Sequence, residues 1–137
     1  MEDFVSFEIS LKLKEKGFRE ECIAYYHTDG ELLYNRDQYR GGNYKSLLRS
    51  YNSLPKNPIG CEQIDAPTIS QVLKWLRKEK IYIVPTFCVD QNDNGYWDFR
   101  LISTMDGMLI YDEIKNRYNS YEQAALAGIE YVLNNLI

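Results

Sequence analysis

No stretch of this chain approaches the roughly 18 consecutive apolar residues that a membrane-spanning helix requires, and the opening Met1-Glu2-Asp3-Phe4 is acidic where a secretory leader would be basic. A cytoplasmic protein with no membrane partner is expected. Cysteine is sparse too: Cys22, Cys61 and Cys88 are odd in number and form no C-x-x-C pair, which argues against a disulfide framework and for reduced thiols. His27 is the one histidine. There is no glycine-rich phosphate loop, H-E-x-x-H pair or G-x-S-x-G elbow. No cofactor is expected, and an enzyme would need a site that these residues hide. What is present is 137 residues, 45% hydrophobic and 26% charged, the make-up of a single globular domain over 1–137. Tyrosine is the unusual component, with twelve copies, each an apolar body with a polar tip.

The clearest element is 68–80, where Thr68 can cap, Gln71 answers three residues on, and Ile69, Val72, Leu73 and Leu76 recur at helical spacing. Ile81 to Val89 is β-branched and aromatic, with Ile81, Ile83, Phe87 and Val89 on one face, and Pro85 places it at an edge or a bulge. The polar run 90–95 turns into a second strand, 96–104, in which Trp97, Phe99 and Leu101 alternate with Asp98 and Arg100. Asp106-Gly107 precedes a short third strand, 108–111. Ser120, with Gln123 three residues later, opens a helix over 120–136 carrying Tyr121, Ala125, Ile129, Val132, Leu133 and Leu136 on one stripe. Ala125 and Gly128 allow that helix to lie close to a sheet. The C-terminal half thus reads α-β-β-β-α, and the fold class expected is α+β, an antiparallel sheet with helices packed on one face.

The N-terminal half is less direct. Val5 to Leu13 alternates apolar and polar residues, which favours a strand, but acids lead, Lys-Glu-Lys closes and Gly17 follows, which is how helices begin and end. A helix near 5–16 is the preferred reading. Asp29-Gly30 between aromatic runs signals a hairpin. The connection 35–61, with Gly41-Gly42, Pro55, Pro58 and Gly60, is long for a compact domain, so it is either functional or partly helical around Lys45 to Tyr51.

Three segments, Val5 to Phe18, Ala66 to Lys80 and Ser120 to Leu133, together resemble a widespread group of small bacterial proteins of unknown function that are often encoded in phages and prophages. The resemblance spans most of the chain and implies helices at both ends and in the middle. It implies no activity and assigns no functional residue.

The sharpest local chemistry is in 35–56, where Arg36, Arg40, Lys45, Arg49 and Lys56 face the single acid Asp37, a net +4 in a chain that carries −4 overall. Tyr39, Tyr44 and Tyr51 are interleaved with these cations. Arg36, Tyr39, Arg40, Tyr44, Lys45, Arg49 and Tyr51 are therefore the candidate partner-binding residues. Tyr and Arg are the types enriched at protein interface hot spots, and a protein partner is favoured. The same residues suit single-stranded nucleic acid, with cations for phosphates and rings for bases, and a solvated loop whose tyrosines cover a core edge is the plain alternative. The order α-β-β-β-α is also that of double-stranded-RNA-binding domains, but the last helix here opens Ser120-Tyr121-Glu122-Gln123, without the lysines that contact phosphate there.

Two further candidates fall short on residue type. Asp90, Asn92, Asn94, Gly95 and Asp98 match part of a calcium loop, yet position twelve is Leu101 where a bidentate Glu is required. A turn, with no metal, is expected. A cysteine nucleophile would need His27 as its base, and Cys22, five residues away on one strand, would lie on the opposite face. Asp112-Glu113 and Glu20-Glu21 sit at turns, where solvated charges are expected. Trp75 and Trp97 are read as core or core-rim residues.

Overall fold

The computed structural model describes residues 3–38, 44–46, 48–53, 63–103, 108–111 and 117–137, the short strands at 36–38, 44–46 and 108–111 by their backbone. The chain is α+β and divides into two compact units, Met1–Thr68 and Ile69–Ile137.

In the N-terminal unit, helix α1 (Phe7–Glu15) starts at Ser6, whose hydroxyl accepts the Ile9 N–H at 3.2 Å. It ends before Gly17, whose φ of +91° is the left-handed conformation that a chain leaving a helix uses. Ile9 and Leu13, four apart, are buried with Ser10 beside them, whereas Leu11 is 37% exposed. Strict alternation thus overstates the apolar face: a helix buries two of these residues and releases a third.

Strands β1 (Ala24–Tyr26) and β2 (Leu32–Tyr34) form the expected hairpin. The Gly30 N–H bonds the His27 carbonyl at 2.9 Å, Gly30 takes φ +87°, and the Glu31 N–H bonds Asp29 Oδ1 at 2.9 Å, a turn closed by a left-handed glycine. Next come β3 (Arg36–Gln38) and β4 (Tyr44–Ser46), an antiparallel pair, then a 3-10 turn (Tyr51–Ser53) and β5 (Ile64–Asp65). The sheet order is β2-β1-β5. Its inner face holds Ala24, Tyr26 and Ile64, with Ala66, Phe4, Phe7 and Leu32 packed around them. The helix considered for Lys45 to Tyr51 does not form. The ladder to β3 satisfies backbone groups that so short a helix would leave half unpaired at its ends.

In the C-terminal unit, helix α2 (Ile69–Lys78) buries Ile69, Val72, Leu73 and Leu76, the four residues of the expected stripe. Lys80, at φ +62°, turns the chain into β6 (Ile81–Val89). That strand pairs along its whole length with β7 (Gly95–Ser103), which pairs in turn with β8 (Met108–Tyr111). The order β6-β7-β8 leaves β6 at an edge, where Pro85 is tolerated. Helix α3 (Tyr121–Asn135) is capped at its start: Ser120 Oγ accepts the Gln123 N–H, and Gln123 Oε1 reaches back one residue past the cap to accept the Asn119 N–H, both at 3.1 Å. Ala124, Ala125, Gly128, Ile129, Val132 and Leu133 are buried, and Gly128 lies directly over Ile83 and Phe99. Tyr121, expected on the buried stripe, is 41% exposed, its ring set edge-on against Trp97 of β7 at 5.7 Å rather than covered. Among the described residues no helix is long and apolar enough to cross a membrane.

Candidate functional site

The seven candidate residues are distributed unevenly. Arg36 pairs with Ser46 and Gln38 with Tyr44 along β3 and β4, and Lys45 stands opposite Asp37, the one acid of the segment. Tyr39 and Arg40 lie outside the described residues, as do Lys56, Cys61, Asp106-Gly107 and Asp112-Glu113. Arg49 and Tyr51 are brought onto the N-terminal unit by identifiable bonds.

Arg49 is tied by its backbone to Cys22: the Cys22 N–H donates to the Arg49 carbonyl at 2.8 Å and the Arg49 N–H returns a bond of 3.0 Å. Its side chain is left exposed. Ser50 Oγ donates to the Arg19 carbonyl at 2.8 Å, which carries the chain on to the 3-10 turn. There the N–H groups of Tyr51 and Asn52 donate to the two oxygens of Asp65, each at 2.9 Å. Asn52 Nδ2 also donates to the Phe18 carbonyl at 3.0 Å. The turn is thereby held against the face of the sheet opposite the core.

This anchoring sets Tyr51 beside Tyr25, with ring centroids 5.0 Å apart and planes inclined at 56°. Tyr25 in turn meets His27 at 5.8 Å and 60°. Tyr25, His27 and Tyr51 are all half-buried, so the unit carries an ordered aromatic cluster, and the exposed Arg49 lies two residues before Tyr51 in the chain. Sequence reasoning put Tyr51 and Arg49 in this role but missed Tyr25 and His27. The available signal was the crowding of six of the twelve tyrosines between Tyr25 and Tyr51.

Beneath the cluster the electrostatics are those of a closed interior. Burial raises the Asp65 carboxyl above the ordinary value, while the Asn52 and Tyr51 N–H groups and the charges of Lys14 and Arg19 pull it back. Cys22 is fully buried, and desolvation, with Asp65 and Glu20 nearby, pushes its thiol well above the ordinary value. A thiol held protonated is not a nucleophile, and Cys22 serves as a packing residue.

The acidic turn is also accounted for without an ion. Asp90 Oδ1 accepts the N–H groups of Asn92 and Asn94 at 2.8 and 3.0 Å, and Oδ2 takes Arg117 Nη1 at 2.7 Å. The bond to Arg117 leads the effects that hold this carboxyl below its usual range. Its oxygens are spent on the turn and on Arg117, whose guanidinium lies 4.4 Å over the Tyr96 ring. Among the described residues no three His, Cys, Asp or Glu side chains converge as metal ligands would. No protein family, characterised protein or solved structure matches this chain.

Proposed function

We propose that this chain is a non-enzymatic cytoplasmic accessory protein of the phage or prophage type that binds a protein partner through the Tyr25, His27 and Tyr51 rings and the exposed Arg49 two residues before Tyr51. The observation that carries this reading is the Tyr25–Tyr51 contact at 5.0 Å, with the exposed Arg49 two residues before Tyr51. Rings fixed in place before binding lose little freedom on association, and an exposed Arg supplies charge-assisted hydrogen bonds, the combination found at interface hot spots. The segregated positive charge of 35–56 steers an acidic partner towards the same place.

Single-stranded nucleic acid is the second reading, supported by the same charge and rings. The tilts of 56° and 60° speak for protein instead, because each ring turns part of its face to a neighbour where a base would need it open. Affinity capture with the full chain, compared with one carrying Arg49→Ala and Tyr51→Ala, tests the proposal. The variant should fold and lose the captured protein, and unchanged capture overturns the reading. Binding of an oligothymidine that weakens steeply as salt rises would assign the surface to nucleic acid.

A further inference from the structure

We propose that Asn94 is a site of spontaneous deamidation, at which the Gly95 backbone nitrogen displaces the Asn94 side-chain amide and leaves aspartate or isoaspartate in the turn between β6 and β7. Of all the asparagines in the chain, Asn94 alone precedes a glycine. A backbone nitrogen approaches the side-chain carbonyl of the residue before it most freely when it carries no β-carbon on its own residue, and both Asn94 and Gly95 are exposed. The glycine cannot be exchanged for another residue. A β-carbon on Gly95 would run into the Phe87 ring, with Cζ and Cε2 the nearest atoms, so the packing of Phe87 across the end of the hairpin fixes the reactive pair in place.

The strand pairing leaves the nucleophile open. The Trp97 N–H donates to the Tyr118 carbonyl at 2.8 Å and its carbonyl accepts the Tyr118 N–H at 2.9 Å, so these groups point away from β6. In an antiparallel ladder the bonding state alternates along the strand, and Gly95, two residues earlier, is turned outward as Trp97 is. The turn has the same phase: the Asp90 N–H donates to the Asn94 carbonyl at 3.0 Å, which makes 90 and 94 a bonded pair and Val89 and Gly95 an unbonded one. Among the described residues nothing accepts the Gly95 N–H. Asn92, exposed in the same turn, lacks this opening. The N–H that follows it, that of Asp93, is held on the Asp90 carbonyl at 3.2 Å, and Asp93 carries a β-carbon at φ +61°.

In the reaction the Gly95 nitrogen gives its proton to solvent and bonds to Asn94 Cγ, the Cγ–Nδ2 bond breaks, and the amide takes up a proton and leaves as ammonia. Water then opens the resulting succinimide ring. Attack at Cγ gives aspartate in an unaltered chain; attack at the backbone carbonyl gives isoaspartate, in which the chain runs on through Cβ and Cγ. Water is the only co-reactant, and nothing is oxidised or reduced. Either product adds a negative charge beside Asp90 and Asp93. In isoaspartate the carbonyl that held the Asp90 N–H has also left the main chain, so the turn loses the bond that closes it, next to the carboxylate that holds Arg117.

The test holds the full chain in warm, mildly alkaline buffer and then cuts it with trypsin, which releases residues 81–100 as one peptide. That peptide should gain the mass of an amide-to-acid exchange, elute as two forms, and show the change at 94 on fragmentation. Isoaspartyl methyltransferase should label one of the forms. Asn94→Gln keeps the backbone bonds of the turn but would have to close a larger ring, and it should block both the mass gain and the label. In the isoaspartate form, separated by anion exchange, the Asp90 N–H should exchange with solvent faster than in the parent. A folded chain that stays unmodified over the time in which the free peptide converts, a change at Asn92 instead, a label that survives Asn94→Gln, or an Asp90 N–H equally protected in both forms overturns the proposal.

Discussion

Asp65 and Asn52 hold each other by two bonds: the Asn52 N–H donates to Asp65 Oδ2 at 2.9 Å, and the Asp65 N–H donates to Asn52 Oδ1 at 3.3 Å. Both residues are buried, and the second carboxylate oxygen takes the Tyr51 N–H. The aromatic cluster thus rests on a carboxylate thirteen residues along the chain from the turn it fastens. Polar groups inside a fold are costly when left unpaired, at about 1–3 kcal/mol each, and here each partner satisfies the other.

The pH dependence of this clamp runs opposite to that of an ordinary paired carboxylate. Burial raises the Asp65 carboxyl, so the folded chain binds its proton more tightly than the unfolded chain does. Its contribution to stability must then grow as pH falls through the folded value, and level off below the ordinary value of about 4. Asp65→Asn does not titrate. Urea denaturation at a series of pH values should show the parent gaining on the variant as the solution is acidified. A gap that is constant, or that widens with rising pH, excludes this behaviour.

Cys22 should be chemically silent in the folded chain. Its fully buried thiol is held protonated by desolvation, with the charges of Asp65 and Glu20 acting in the same sense, whereas Cys88 is partly exposed. Brief treatment with iodoacetamide followed by peptide mass mapping should find the label on Cys88 and not on Cys22. In denaturant both should react. Labelling of Cys22 at the Cys88 rate under native conditions would show that this interior opens.

How much of this was legible in the sequence depended on the distance between interacting residues. The α2 stripe and the Asp29-Gly30 hairpin are local patterns, and both formed as read. The Val5 to Leu13 stretch carried two conflicting patterns, and the Ser6 cap and Gly17 outweighed the alternation. The β3–β4 pairing and the Asn52–Asp65 clamp were not legible. Residues 44–51 carry no alternation that marks a strand, and nothing near Asp65 in sequence announces that it will receive N–H groups from position 51 or 52. The basic segment itself was read from its charge and its interleaved tyrosines, while the ring beneath Tyr51 came from β1, about 26 residues earlier.

Lys80 offers a gain in stability. It adopts φ +62° at the exit of α2, with its N–H on the Arg77 carbonyl at 3.0 Å, a conformation that strains a residue with a β-carbon. Lys80→Gly removes that strain and keeps the bond, although the unfolded chain gains freedom. A net stabilisation of roughly 0.5–1 kcal/mol is expected, read as a higher urea midpoint with an unchanged slope. A lower midpoint would mean that the Lys80 side chain contributes more than its backbone costs.

Gly128 should tolerate no side chain even though it lies inside a helix, where alanine is ordinarily better by about 1 kcal/mol. A β-carbon there would stand 2.7 Å from Ile83 Cγ2 and 3.2 Å from Phe99 Cδ2. The Ile83 methyl sits on a branched carbon with little rotamer freedom, so relief requires α3 to lift from β6 and β7. Gly128→Ala should therefore destabilise the unit, by about 1–3 kcal/mol, as overpacking does. Ile83→Ala removes the obstructing methyl, and the double variant should cost less than the two single changes added together. Thermal unfolding of the four proteins measures this coupling, and strict additivity would show that α3 does not approach the sheet through Gly128.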